Sequence, residues 1–324
     1  MIETNQASKQ VVDKAGLDVR GLYWFLLIAF GWAWALDAGL WLSGQGVSGQ
    51  WSLPVLVLSM FGPAIAAFVV TRWLSPISHI VAATGLRFGA KGSRWGWYYL
   101  FALLAMPLLF VAALFVGAAL GVYQMDLTGY SAYRQLLEST PQGSQLLQQG
   151  QVPLAVVVWT QIASLPVAGL INLPFAFGEE YGWRGYLLPA LLPLGQWPAL
   201  VLHGLVWGLW HAPVILMGYN YPQHPITGVF AMVVFTTLLG IIFGWTRLAT
   251  GSVWPATIMH ANLNASSGVA LLLMRAGTNL DTLHATLLGW SGWILLVVVI
   301  GMLIVTGRLP VRHLPDHLTA LQQN

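Results

Sequence analysis

Apolar residues run on for about twenty positions at a time, the length a helix needs to cross roughly 30 Å of hydrocarbon. Such runs fall at 21–43, 51–74, 96–122, 151–173, 197–217, 226–246, 251–274 and 286–306. They predict an all-α fold, a polytopic membrane helical bundle of about eight transmembrane helices. One stretch departs from the pattern. Residues 174–194, FAFGEEYGWRGYLLPALLPLG, carry three charges and are bounded by prolines, which suits a re-entrant or broken helix inside the bundle, a ninth span, or an extension of span four. Counting it as a ninth crossing would flip every later loop and weaken the bias in Lys and Arg, so eight spans are preferred. The segment 124–150 is polar and Gln-rich, with Leu136, Leu137, Leu146 and Leu147 at helical spacing, and predicts an interfacial helix and loop. Gly117-xxx-Gly121 and Gly240-xxx-Gly244 have the spacing of close-packed membrane helices.

Composition agrees. The 324 residues are 57% hydrophobic and 7% charged, against about 25% charged in a soluble domain, so a solvated globular fold is excluded. Seventeen Trp and a mean hydropathy of +0.71 fit a protein whose aromatic residues collect at the bilayer interfaces. Absence of Cys removes disulfides, Cys-ligated zinc and Cys nucleophiles. A net charge of +3 without a clustered basic face argues against nucleic acid as a partner. With the N-terminus inside, Lys9, Lys14, Arg20, Arg72, Arg87, Lys91, Arg94, Arg184, Arg247, Arg308 and Arg312 fall on the cytoplasmic side, and Arg134 and Arg275 outside. This bias predicts both termini in the cytoplasm. The short loops and composition point to a bacterial cytoplasmic membrane. The chain divides into an N-terminal tail at 1–20, a transmembrane body at 21–306 with its motif core at 174–270, and a C-terminal tail at 307–324. No cleavage-site pattern follows the polar start, so the first span reads as a retained anchor.

Ionisable residues at membrane depth are costly and mark function. Glu180 and Arg184 are four apart with the acid first, the favoured direction for a helical ion pair. Glu179 lies about 100° further round the helix and is left to act as a general base. His211 and His260 both reach the membrane interior, from helices that enter on the same side, and can meet in one cavity. Asn264 is one turn from His260 on the same face, a pairing suited to stabilising an oxyanion. Asn262 and His203 face elsewhere and read as packing residues. Asp37 reads as an isolated acid bonded to a neighbour, and His79, His224, His284, His313 and His317 as solvated side chains. No His-Glu-x-x-His, Gly-x-Gly-Asp or Gly-x-x-x-x-Gly-Lys motif is present, and Ser267-Gly268 lacks the preceding glycine of the rhomboid serine motif.

The ordered set Glu179-Glu180-xxx-Arg184, Trp207-xxx-His211 and His260-xxx-Asn264 resembles the motifs of the CAAX protease and bacteriocin-processing (CPBP, or Abi) family of intramembrane endopeptidases, which includes the Ras-converting type of prenyl-protein protease. The second motif carries Trp207 where the family usually has Phe. The resemblance implies that Glu179 and His211 activate the attacking water, that His260 and Asn264 stabilise the oxyanion, and that Glu180 and Arg184 support them. It also implies a membrane-anchored protein or hydrophobic peptide as substrate, prenylated or not. Metal dependence stays open: Glu179, His211 and His260 would make a three-ligand zinc site, and the same residues suffice for direct base catalysis. Two other functional classes fit a polytopic chain with buried charges, a catalytically idle membrane scaffold or immunity protein and a proton-coupled transporter.

Overall fold

The computed structural model describes residues 16–89, 95–316, 318 and 319. Most of the expected N-terminal tail, with Lys9 and Lys14, together with Lys91, Arg94 and His317, lies outside the described residues. The described chain is helical, with an isolated bridge between Met125 and Met274.

Helix α1 (Val19–Leu42) starts at Asp18, whose carboxylate accepts the Gly21 N–H at 2.9 Å and so satisfies one of the free donors of the first turn. Helices α2 (Ser52–Ser59) and α3 (Gly62–Val69) continue through a π turn at Val70–Leu74. A single turn, α4 (Ile80–Ala83), precedes α5 (Trp95–Ala119). Two short helices, α6 (Ser131–Glu138) and α7 (Pro141–Gln149), occupy the polar segment expected to be interfacial. The chain then runs through α8 (Leu154–Ala168), a 3-10 turn at Gly169–Asn172, α9 (Leu173–Gly182), a π turn at Trp183–Leu187 and α10 (Leu188–Leu191). Helix α11 (Gln196–Trp210) breaks before α12 (Ala212–Leu216). Last come α13 (Pro225–Thr250), α14 (Trp254–Ser266), α15 (Val269–Leu273) and α16 (Trp290–Val305). Proline stands in the first turn of α7, α9, α12, α13 and α14, where its missing N–H has no helical acceptor to lose.

Each predicted apolar run folds as helix close to its expected bounds. Among the described residues, Val19–Leu42, Ser52–Leu74, Trp95–Ala119, Leu154–Leu194 and Pro225–Thr250 are helical stretches long and apolar enough to cross a membrane. The other three runs are short or broken, so length alone does not yield the eight crossings expected. The breaks have local causes. Pro213 cannot donate to the α11 ladder and ends it at Trp210; the Trp210 carbonyl left over accepts the Trp34 indole N–H at 3.1 Å instead. Large apolar side chains such as Leu42, Ile171, Ile226, Phe230 and Val305 stand outward, each at least 70% exposed. In water that would be a liability; against lipid it is the expected surface of an integral membrane protein.

Residues 174–194 continue span four as a broken helix and lie inside the bundle. The whole run Leu154–Leu194 is 41 residues, about 60 Å if straight, roughly twice the hydrocarbon thickness. Its second half is buried without interruption from Gly178 to Pro189. Glycines let α9 in: a Cβ on Gly178 would come within 2.8 Å of the Met60 carbonyl, and one on Gly182 would overlap Pro63. Helices α11 and α13 meet the same way, with Gly204 and Gly208 against the backbone of Thr237 and Val233 at 2.6 Å from a notional Cβ. Gly240 and Gly244 face His203, Gly204 and Leu200 across that contact, as their spacing predicts. Gly121 does not follow its predicted role, because it lies beyond the end of α5 with φ +76° and turns the chain. Two of the arginines assigned to the cytoplasmic side are no loop charges: Arg184 and Arg247 are fully buried.

The start of α6 is held by one carboxylate. Asp126 accepts the Ser131 hydroxyl at 2.6 Å and the N–H groups of Thr128, Gly129 and Ser131 at 2.8–3.2 Å. Those bonds, the Ser131 hydroxyl and Gly129 N–H foremost, hold its carboxyl well below the ordinary carboxylate value. A depressed folded pKa stabilises the native state above the unfolded value of about 3.9, and the contribution is lost as pH falls through the folded value. At neutral pH, Asp126→Asn should therefore speed amide hydrogen exchange across residues 126–138. Below about pH 3 the difference from the wild type should shrink. In the interior, Gly182→Ala should destabilise the protein by about 1–3 kcal/mol through overpacking against Pro63, seen as a lowered Tm in detergent.

Candidate active site

Three helices bring the motif residues together. Glu179 and Glu180 close α9, Arg184 sits in the π turn that follows, Trp207 is in the last turn of α11 with His211 as its C-terminal cap, and His260 is mid-way along α14. A π turn widens the helix by one residue and is frequent at functional sites; here it follows the paired carboxylates directly.

Glu180 is the buried centre. Its Oε1 accepts Arg184 Nη1 at 2.7 Å and His260 Nδ1 at 2.8 Å, with both Glu180 and Arg184 wholly buried. This is the predicted ion pair, extended by an imidazole from another helix. The guanidinium carbon lies 4.1 Å from the centre of the Trp207 ring and 5.0 Å from that of Phe243, so aromatic faces cover the charge where no second carboxylate does. Arg184 in turn offers its carbonyl to Arg247 Nε at 3.0 Å, and Arg247 Nη2 reaches the Ala83 carbonyl at 2.7 Å.

Glu179 faces the other way, as the 100° offset predicts. Its Oε2 accepts two indole N–H groups, Trp207 Nε1 at 2.8 Å and Trp183 Nε1 at 3.3 Å. Its Oε1 lies 3.9 Å from His260 Nε2, too far for a direct hydrogen bond. His211 Nδ1 donates to the Trp207 carbonyl at 2.8 Å. A carbonyl only accepts, so the proton sits on Nδ1 and Nε2 presents a lone pair when the ring is neutral.

These groups open onto a cavity of about 530 Å³ whose lining includes Glu179, Trp207, His211, His260 and Asn264. Both imidazoles do reach one cavity, flanking the Trp207 ring with centroids at 6.1 Å and 5.5 Å. The Asn264 carboxamide lines it and forms no hydrogen bond among the described residues. His203 and Asn262 stay outside, as expected: His203 Nδ1 bonds the Ala199 carbonyl and Asn262 Nδ2 the Leu103 carbonyl. Asp37 is bonded to a neighbour as expected, accepting the Ser59 hydroxyl at 3.5 Å, and it is buried and lines the same cavity. Other sequence readings need correction. His224 and His284 are not merely solvated, because both bond the Asp281 carboxylate. Trp207 is more than an aromatic where Phe is usual, for its indole N–H donates to Glu179 as Phe could not; only the contact to Glu179, 28 residues away, reveals it.

Residues 158–266 match the family described as Type II CAAX prenyl endopeptidase Rce1-like. This segment is similar to that family. It contains every residue of the three motifs and all the helices that carry them. A 107-residue stretch is 35% identical to the CAAX prenyl protease 2 of Methanococcus maripaludis, and covers 31% of this chain and 39% of that protein. The chain therefore spans about two fifths of the length of that curated relative.

Zinc ligation by Glu179, His211 and His260 depends on the spacing of their donors. Among the described residues, three ligand atoms within 4.8 Å of one another occur at His224, Asp281 and His284, and Glu179, His211 and His260 do not form such a group. As arranged, those three do not fit one ion, and one Glu179 oxygen is already taken by two indole donors. Removing the partners of the buried carboxylates should rank by charge. Arg184→Met leaves Glu180 buried without its cation and should cost about 3–5 kcal/mol. Trp207→Phe removes one charge-assisted hydrogen bond and should cost about 1.5–3 kcal/mol. Thermal unfolding in detergent should show Tm falling in that order.

Proposed function

We propose that this chain is an intramembrane endopeptidase that hydrolyses a peptide bond in a membrane-tethered protein or hydrophobic peptide. The observation that carries this reading is a buried carboxylate, Glu179, and a singly bonded imidazole, His211, sharing a cavity lined mostly by apolar side chains. Leu53, Leu56, Phe110, Phe175 and Phe235 supply much of that lining, which suits an apolar tail beside the scissile bond. The relative's name supports a prenylated Cys-a-a-X end as one substrate class. Both termini would then lie in the cytoplasm, on the side where most loop cations remain.

In this scheme a water lies between Glu179 Oε1 and His211 Nε2. Oε1 is the oxygen not tied to indole, so it takes the water proton as the oxygen attacks the carbonyl carbon. The oxyanion forms beside His260 Nε2 and the Asn264 amide, which donate to it. With Nδ1–H of His260 bonded to Glu180, a proton on Nε2 makes the ring cationic and brings Glu179, Glu180, Arg184 and His260 to zero net charge. When the C–N bond breaks, the proton held by Glu179 passes to the leaving amine, and the second water proton, left on the new carboxyl group, follows it as the acid ionises, so that a carboxylate and an ammonium group are released. His211 works as an acceptor only when neutral, so activity should decline on the acid side as imidazole protonates.

Glu179→Gln and His211→Ala should each lower turnover by about 10²–10⁴-fold, the usual worth of a general base, while the protein stays folded. The direct check is terminal-peptide proteomics on membranes carrying wild type or Glu179→Gln at matched abundance. New protein ends confined to the wild type are expected; identical sets of ends with both proteins folded would overturn the proposal.

A further inference from the structure

Outside the three motifs, the loop before α13 and the segment between α15 and α16 are joined by a cluster that the proposed hydrolysis does not use. His224 Nε2 lies 2.8 Å from Asp281 Oδ2, and His284 Nδ1 lies 3.0 Å from the same oxygen. The three donor atoms sit within 4.8 Å of one another. From this geometry we infer that His224, Asp281 and His284 form a binding site for a divalent transition-metal ion of the zinc type.

The donor set has the right chemistry. Two imidazole nitrogens and one carboxylate oxygen are borderline ligands that favour zinc-like ions over calcium or magnesium, which take oxygen shells. Tetrahedral zinc with bonds of about 2.0–2.1 Å spaces its ligands roughly 3.3 Å apart, so the side chains need to move by little more than an ångström. The ion takes the place of the protons that now bridge each ring to the carboxylate, and water completes the fourth position. Side-chain exposures of 31%, 33% and 43% for His224, Asp281 and His284 leave an entry path.

The scaffold is fixed without the ion. Asp281 Oδ1 accepts the Leu283 N–H at 3.0 Å, leaving Oδ2 for ligation. Gln223 Nε2 donates to the Leu280 carbonyl at 3.1 Å, the Tyr221 hydroxyl to the Leu288 carbonyl at 3.0 Å, and the Thr282 hydroxyl to the Asn220 carbonyl. Three independent bonds between the two segments hold the ligands at their spacing, a condition that isolated surface His–Asp pairs lack. The same segments supply Tyr219, Asn220 and Leu288 to the wall of the large cavity. An ion at this site therefore clamps that wall.

The test uses the full chain in detergent with any histidine tag removed and Zn²⁺ alone as probe. Equilibrium dialysis and metal analysis compare wild type with His284→Ala, His224→Ala and Asp281→Asn, and thermal unfolding is followed with and without Zn²⁺. The expected result is one equivalent lost, or at least tenfold weaker binding, in each variant, together with a Zn²⁺-dependent rise in Tm present in the wild type and absent in the variants. Because these side chains are partly exposed, metal-free Tm values should stay close to that of the wild type; if one variant fails to fold, the other two carry the comparison. No zinc on the wild type, or unchanged stoichiometry and affinity in the folded variants, would overturn the proposal. Zinc retained at the Glu179 cavity appears as the latter outcome.

Discussion

The contact among Glu180, Arg184 and His260 governs the placement of almost everything else in the site. A buried charge without its partner costs several kcal/mol, and in lipid no water is available to take the partner's place. Once α9 enters the interior with two carboxylates, a guanidinium one turn on and an imidazole from α14 must come to Glu180. Arg184 then lies over Trp207, and the same indole donates to Glu179. The free carboxylate oxygen of Glu179 thus owes its direction to an ion pair that faces away from the cavity. Through its carbonyl, Arg184 also receives Arg247, which reaches on to Ala83, so α13 and the turn at α4 join the same network.

Interior charge requires close backbone approach, and small residues supply it. Gly178 and Gly182 let α9 press against Met60 and Pro63, while Gly204 and Gly208 let α11 press against α13. Between helices whose surroundings are as apolar as their own side chains, van der Waals contact and hydrogen bonds do the joining. Helix breaks lie at the cavity for a related reason: His211 caps α11 just before Pro213, and Ser267 caps α14. Both residues line the cavity. Irregular backbone at membrane depth is tolerated where protein, not lipid, surrounds it.

Membrane helices announce themselves in sequence because hydrocarbon demands long apolar runs, and the run boundaries survive in the structure within a few residues. The motif residues were equally legible: in an apolar context each ionisable side chain stands out, and helical spacing pairs Glu180 with Arg184 and separates Glu179 from both. Less visible were contacts between segments distant in sequence. Trp207 as a donor to Glu179, Asp37 as a cavity residue, and His224 and His284 on Asp281 all depend on helices that meet only after folding. Arg184 and Arg247, counted as loop charges by position, are buried for the same reason.

From sequence alone follow the all-helical membrane architecture, the charged interior segment and the ionisable residues that stand out within it, since these depend on hydrophobicity and local spacing along one chain. Tertiary structure alone decides which oxygen of Glu179 is free, which nitrogen of His211 carries its proton, how the long run from Leu154 to Leu194 changes its helical form, and which surface histidines share a carboxylate. Those outcomes rest on hydrogen bonds between helices, whose partners are chosen by packing and by the cost of leaving a buried polar group unpaired.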